Sequence, residues 1–355
     1  MRFLLKITAL FVSAPLMHAE ATPPVSLLAL SKTDQTLAII DPATNKVIAK
    51  MPSGPDPHEV VASSDGRFAY ISNYGGGAYN TIGVVDLMAQ KALPSIDLGA
   101  LRGPHGLMFV GGKLYFTAEA AKVIGTYDPA TAKIDWILGT GQNRTHMVWV
   151  TADQKKIITS NVASATMTII EKSAGAGRGP GRGPGPGGPP PGGRGPGRGP
   201  GGPPQSDWEE TIVAVGRGAE GFDVSPDGKE VWAANAQDGT ISILDFAGKK
   251  VIQTLDANVN GANRLKFTPD GKLVLVTTLN GPELLVIDAA TRKTIKRVNT
   301  GLGAAGIQMR PDGEVAYLGC TPDNYVAIVN LKSLEVVGHI DVGPQPDGLA
   351  WVVRQ

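Results

Sequence analysis

Short apolar runs that close on an acidic or amide residue recur along this chain: LAIID ending at Asp41, IGVVD at Asp86, IGTYD at Asp128, MTIIE at Glu171, ISILD at Asp245, LLVID at Asp288 and VAIVN at Asn330. The steps between them are 45, 42, 43, 74, 43 and 42 residues, and the long step contains the segment 174–206, without which it is 41. A period near forty residues in strand-like sequence marks a repeat architecture. Five units share a turn, SSDG, TADQ, SPDG, TPDG and RPDG, which places Asp65, Asp153, Asp227, Asp270 and Asp312 between two β-rich runs. Asp-Gly is a strong hairpin signal because glycine takes up the positive φ that a tight turn needs. After the turn come FAYISN, KIITSN, EVWAAN, LVLVTT and VAYLGC. Each unit therefore reads as four short antiparallel strands with the turn joining the first two, and helical spacing is nowhere sustained.

Four-stranded units arranged around an axis protect their sheet edges by radial closure. The pattern predicts an all-β, seven-bladed β-propeller over residues 22–355, interrupted by the segment 174–206. The ends of the chain fit that closure. PDGLAWVV at the carboxyl end matches a first strand, and VSLLALS near the amino end matches a second, so the two would complete one blade and clasp the ring.

YISN at Tyr70–Asn73, WAAN at Trp232–Asn235 and the SPDG and TPDG turns resemble the YVTN family of secreted seven-bladed propeller repeats, related to the haem-d domain of nitrite reductases. The resemblance covers nearly all of residues 25–355 outside the insert. It implies the fold; for function it implies a range, since such propellers serve as binding modules, scaffolds and occasional enzymes. One unit departs from the pattern: GGKLYFTAEA lacks the Asp-Gly turn and is one residue shorter.

The amino terminus changes the expected compartment. Arg2 and Lys6, the apolar stretch Ile7 to Leu16 and the small-residue site Ala19-Glu20-Ala21 read as a secretory signal over residues 1–21, so the mature protein is expected in the periplasm or outside the cell, with no membrane span. Cys320 is the only cysteine, which excludes an internal disulfide, a haem-attachment pair and a cysteine-rich zinc site. With 33 basic and 32 acidic residues the formal charge is +1, and aromatic residues are 6%, so neither a global field nor a stacking platform points to nucleic acid. A monomer is expected. The insert 174–206, with Arg178, Arg182, Arg194 and Arg198 and no acidic residue, has a composition that cannot repay the entropy of ordering. Two readings stand for it: a tether to an acidic polymer, cell wall or partner, and a tolerated surface expansion.

Register then singles out one residue per unit. Seven positions before the turn aspartates stand His58, His146, Glu220, Asn263 and Ala305, and matching PHEV with PHGL and PDGL adds His105 and Asp347. These positions begin the innermost strands and should form a ring at one mouth of the central channel. Around the ring the order is His58, His105, His146, Glu220, Asn263, Ala305 and Asp347, so three adjacent histidines are flanked on both sides by a carboxylate. Imidazole binds transition metals, and three histidines with an open position are a known catalytic zinc arrangement, which makes His58, His105 and His146 candidate ligands for a divalent transition metal. Asn73, Asn161 and Asn235 end the second strands and are expected within reach of the same ring. Arg102, Arg144, Arg217 and Arg264 lie within three residues of ring positions and would give the mouth a positive rim suited to a carboxylate, phosphate or lactone-like ligand. The alternative is that the ring side chains only satisfy loop carbonyls and channel water.

Other motifs carry less. YGGGAYN at 74–80 lies between strands rather than before a helix, NRT at 143–145 fits a glycosylation acceptor, and neither G-x-S-x-G nor H-E-x-x-H occurs. Two functions of different class follow. One is a propeller that binds a small molecule or protein partner at its histidine-lined mouth. The other is a metal-assisted hydrolase or lyase, with the three histidines as ligands and Glu220 as general acid or base. A haem-d redox role would require haem held without covalent attachment.

Overall fold

The computed structural model describes residues 20–173 and 208–354; the insert 174–206 and all but the last two residues of the expected leader lie outside that range. The described residues form 28 strands in seven four-stranded antiparallel sheets, in agreement with the sequence pattern. We number the blades from one to seven, starting from the blade whose inner strand is Pro57–Ala62; blade seven holds both chain ends. There the C-terminal strand Pro346–Val353 is the inner strand and pairs with the N-terminal strand Val25–Ser31, with Leu27 opposite Trp351 and Leu28 opposite Ala350. No helix among the described residues is long and apolar enough to cross a membrane.

Burial follows each strand's place in its blade. Third strands such as Thr36–Asp41, Thr240–Asp245 and Glu283–Asp288 bury four consecutive residues, because a neighbouring blade covers each face. That is why these strands read as unbroken apolar runs rather than as alternation. Outer strands such as Lys133–Gly139 alternate between exposed and half-buried positions, as an edge with one packed face requires. The core lies between blades: Trp232, Ile241 and Ile243 of blade four pack on Leu265, Phe267 and Val274 of blade five. Blade two turns on Gly111 and Gly112, both at positive φ, which replaces the Asp-Gly turn of its neighbours.

One irregularity recurs in every blade. Each inner strand slips register by one residue against its second strand, between Pro57 and Val60, Pro104 and Leu107, Thr145 and Val148, Ala219 and Phe222, Ala262 and Leu265, Ala304 and Gly306, and Pro346 and Leu349. A β-bulge re-aims the side chains at its site. In each of the seven the ring residue predicted from the sequence sits in the bulge. The residue after it is often glycine, because the blades crowd near the axis: a Cβ on Gly348 would lie 2.5 Å from the carbonyl oxygen of His58, and one on Gly221 2.6 Å from that of Asn263.

Candidate functional site

A bulge leaves backbone groups without ladder partners, and a hydroxyl on the second strand supplies them in four blades. Ser72 accepts from the Glu59 amide (3.0 Å), Thr117 from Gly106 (2.8 Å), Ser160 from Met147 (3.3 Å) and Thr277 from Arg264 (3.1 Å). Two of these hydroxyls also donate to the next blade, Thr117 to the His146 carbonyl (2.6 Å) and Ser160 to that of Glu220 (2.6 Å). Around His146 the backbone is thus tied both to its own blade, through the Met147 amide, and to blade two, through the His146 carbonyl, which fixes the side-chain direction there.

The three histidines stand in a row. The ring centroids of His58 and His105 are 4.7 Å apart, those of His105 and His146 3.8 Å, and the Tyr74 ring meets both His58 and His105 edge-on. A carboxylate lies at each end, as the register predicts. His58 Nδ1 is 2.9 Å from Asp347 Oδ2 but out of line for a hydrogen bond, and His146 Nε2 is 2.8 Å from Glu220 Oε2. Arg144 Nη1 lies 3.9 Å from Glu220, and Arg264 reaches across the channel, its Nη1 3.3 Å from His146 Nε2 and its Nη2 paired with Glu59 of blade one. Beyond this crossbar the channel opens into a cavity of about 320 Å³ walled by Met108, Met147, Trp149, Phe222 and Ile307.

Several expectations are corrected. Asn73, Asn161 and Asn235 do not reach the ring. Asn73 Nδ2 donates to the Ser53 carbonyl (3.1 Å), Asn161 Nδ2 to the Thr168 hydroxyl (2.9 Å), and Asn235 bonds the Thr240 and Ser242 hydroxyls; Asn161 and Asn235 bind their own blades together, and Asn73 holds the segment that joins blade seven to blade one. Asn263 turns to the carbonyls of Ala304 and Ala305, both at 3.3 Å. Arg102 is exposed, and Arg217 pairs with Asp238 at 2.7 Å, so only Arg144 and Arg264 of the four arginines serve the mouth. The donor trio is also different. His105, Glu119 and His146, all buried, bring one ligand atom each to within 4.8 Å of one another, while His58 faces Asp347. Glu119 displaces His58 because it enters from the end of the second strand of blade two and bonds His146 Nδ1 directly.

Glu119, Glu59 and Tyr74 were missed by register through the ring alone. Two signals were available: Glu59 occupies the second bulge position, which is glycine at Gly106, Gly221, Gly306 and Gly348, and Lys32, Tyr74 and Glu119 each follow a second strand. Lys32 Nζ bridges Asp56 (2.9 Å) and Asp347 (3.2 Å).

Burial and neighbouring charge set opposite protonation preferences on adjacent imidazoles. Burial first, then the charges of His146 and His58, hold His105 well below the ordinary histidine range, so it stands as a neutral base. Burial works against the charged form of His146 too, but the Glu220 and Glu119 carboxylates outweigh it and its proton affinity is raised. Glu220 is drawn down to about 2 although burial opposes it, by the charge and hydrogen bond of His146 and then by Arg264 and Arg144. Asp347, also opposed by burial, is drawn to about 2 by His58, Lys32 and Arg264. Cys320 is buried, with its thiol pushed up to about 12 chiefly by desolvation, so it offers no thiolate at neutral pH.

The two depressed carboxyls give a pH dependence of stability. Unfolded, they titrate near the usual value of about 4; folded, near 2, so the stability they add is complete above about pH 5 and is lost as pH falls through the folded value. The melting temperature is therefore expected to fall steeply between about pH 4.5 and 2, each group accounting for on the order of 2 kcal/mol. Asp347→Asn should flatten that acid limb in melts recorded across the range. An unchanged limb would remove Asp347 from the account.

Comparison with known proteins adds the fold and nothing finer. No protein-family model and no curated protein matches the chain. Among solved structures it resembles a protein of unknown function from Desulfotomaculum acetoxidans (TM-score 0.72, 11% identity, 93% of this chain and 99% of that one). It also resembles hydrazine synthase from Kuenenia stuttgartiensis (TM-score 0.67, 16% identity, 92% and 99%) and the dihydro-haem d1 dehydrogenase NirN in complex with DHE (TM-score 0.61, 15% identity, 95% and 76%). At such identities the conclusion is one of architecture: this chain is a seven-bladed β-propeller with a buried histidine and glutamate cluster at one mouth of its channel.

Proposed function

We propose that this protein is a secreted or periplasmic propeller of the YVTN repeat kind, acting as a monomer that binds a small ligand at the mouth of its channel. His58, His105, His146, Glu220, Asp347, Arg144 and Arg264 form the binding surface. One observation carries the reading. Of the six buried side-chain polar atoms without a hydrogen-bond partner among the described residues, three belong to this cluster: His58 Nδ1, His105 Nδ1 and Asp347 Oδ1. An unpaired buried polar atom costs about 1–3 kcal/mol, so its concentration at one spot marks a place where a ligand supplies the missing partners.

Thermal shift with citrate, inorganic phosphate, Zn²⁺ and Ni²⁺ as separate probes tests this. At least one probe should raise the melting temperature of the wild type by several degrees, about the effect of saturation at a hundred times Kd, and should do so far less for His105→Ala. A wild type indifferent to all four, or a shift equal in the variant, would remove the mouth as the site. The metal-assisted hydrolase or lyase remains a second reading, favoured by Glu220 Oε2 lying 2.8 Å from His146 Nε2, where a carboxylate can orient a ligand histidine or move a proton.

A further inference from the structure

The identity of the ligand can be taken further from the same residues, in an inference that rests on the mouth being a binding site. We propose that His105, Glu119 and His146 form a binding site for one divalent transition-metal ion, with three protein ligands and an open coordination position.

Three observations converge. The donor atoms of the trio lie within 4.8 Å of one another, and all three residues are buried. Donors around a tetrahedral ion at about 2.1 Å stand roughly 3.4 Å apart, so small side-chain shifts would seat one. His105 is 2% exposed, and its Nδ1 makes no hydrogen bond, which leaves a buried ring nitrogen without a partner.

The surroundings match what ligand side chains need. A metal-bound histidine is normally held through its other ring nitrogen by a carboxylate, and His146 meets that requirement: Nδ1 faces Glu119 and Nε2 is held by Glu220 Oε2 at 2.8 Å. Glu119 is held likewise, since Oε1 faces His146 while Oε2 accepts from the Tyr74 hydroxyl (2.5 Å) and from Arg144 Nε (3.3 Å). For Glu119 and His146 the atoms turned away from the trio's centre are thus occupied. Those contacts come from Tyr74, Arg144 and Glu220, on blades one, three and four.

The donor set selects the class of ion. Two imidazoles and one carboxylate, with no thiolate, suit zinc, cobalt, nickel or ferrous iron. Calcium and magnesium prefer all-oxygen cages, which this trio does not offer. Of the five histidines, His18 lies outside the described residues and His339 stands against Tyr325 on an outer strand, so a second imidazole site among the described residues does not compete.

Co²⁺ is the probe, added to full-length protein without a histidine tag after chelator treatment and dialysis, and followed by visible absorption and calorimetry. One ion per chain is expected. Glu119→Gln and His105→Ala should each weaken binding by about 100-fold or more, and Glu220→Gln by about 10–100-fold. His339→Ala, on the outer strand of blade six, should stay within about 3-fold. Near-UV circular dichroism verifies that each variant is folded, and the near-isosteric Glu119→Gln keeps the test open if His105→Ala fails to fold. Folded wild type that takes up no Co²⁺ at millimolar concentration, or Glu119→Gln that binds like wild type, overturns the metal site. If citrate or phosphate still shifts the wild type and not the mouth variants, only the metal inference falls; if no probe acts, the binding site falls with it.

Discussion

A chain ending at Gly343 is expected to give no cooperative melt and no native near-UV circular dichroism. The truncation removes the inner strand of blade seven, Pro346–Val353, in which Leu349, Ala350 and Val352 are buried. With it goes the seam between the two chain ends, from Ser31 opposite Pro346 to Val25 opposite Val353. The loss exposes the edge of Val25–Ser31 and opens the ring beside blade one, where Leu28, Leu30, Ala350 and Val352 share a core with Val60 and Ile71. Deleting one large buried aliphatic side chain costs about 2–5 kcal/mol, and a domain's whole stability is about 5–15 kcal/mol, so losing several with their strand exceeds the margin. Sedimentation should show aggregates, as an open edge strand allows. A soluble truncated chain melting within about 5 °C of the full length would show that the ring does not depend on its clasp.

Arg264→Ala is the second large effect expected. The guanidinium is buried at the axis, paired with Glu59 and within the field of Asp347, Glu220 and Glu119. Removing it leaves Glu59 as a half-buried carboxylate without its partner, a loss of about 3 kcal/mol, the low end for a buried pair. For a domain of this size that lowers the melting temperature by on the order of 5 °C or more. Replacing both partners with apolar residues, Arg264→Met with Glu59→Leu, should recover much of the loss, because the penalty lies in the orphaned charge. A double variant as unstable as the sum of the singles would mean that Arg264 acts mainly through Glu220 and Asp347 instead.

The fold was legible because a propeller repeats its instructions. Apolar third strands, Asp-Gly turns and the split seventh blade each recur or close at a fixed phase, so one misread unit is corrected by six others. The ring was legible for the same reason: His58, His105, His146, Glu220 and Asp347 all occupy the bulge position. What register could not supply was direction. Glu119 enters from a different strand of blade two, and Asn263, at a ring position, bends to a neighbouring backbone. The asparagines of the YISN pattern looked like site residues because they end near the mouth. Their amides are consumed by nearby carbonyls and hydroxyls, an outcome decided by atoms less than 4 Å away and not by spacing along the chain.

The repeated bulge has a consequence for how such a site changes over time. The slip forms in all seven blades whatever residue it presents, in four with a second-strand hydroxyl on the bulge and at Ala305 with no polar side chain, so the bulge itself does not depend on the residue in it. The seven positions behave as sockets whose contents can be exchanged one at a time, so new specificities could arise on this scaffold by single substitutions, without rebuilding the architecture that displays them.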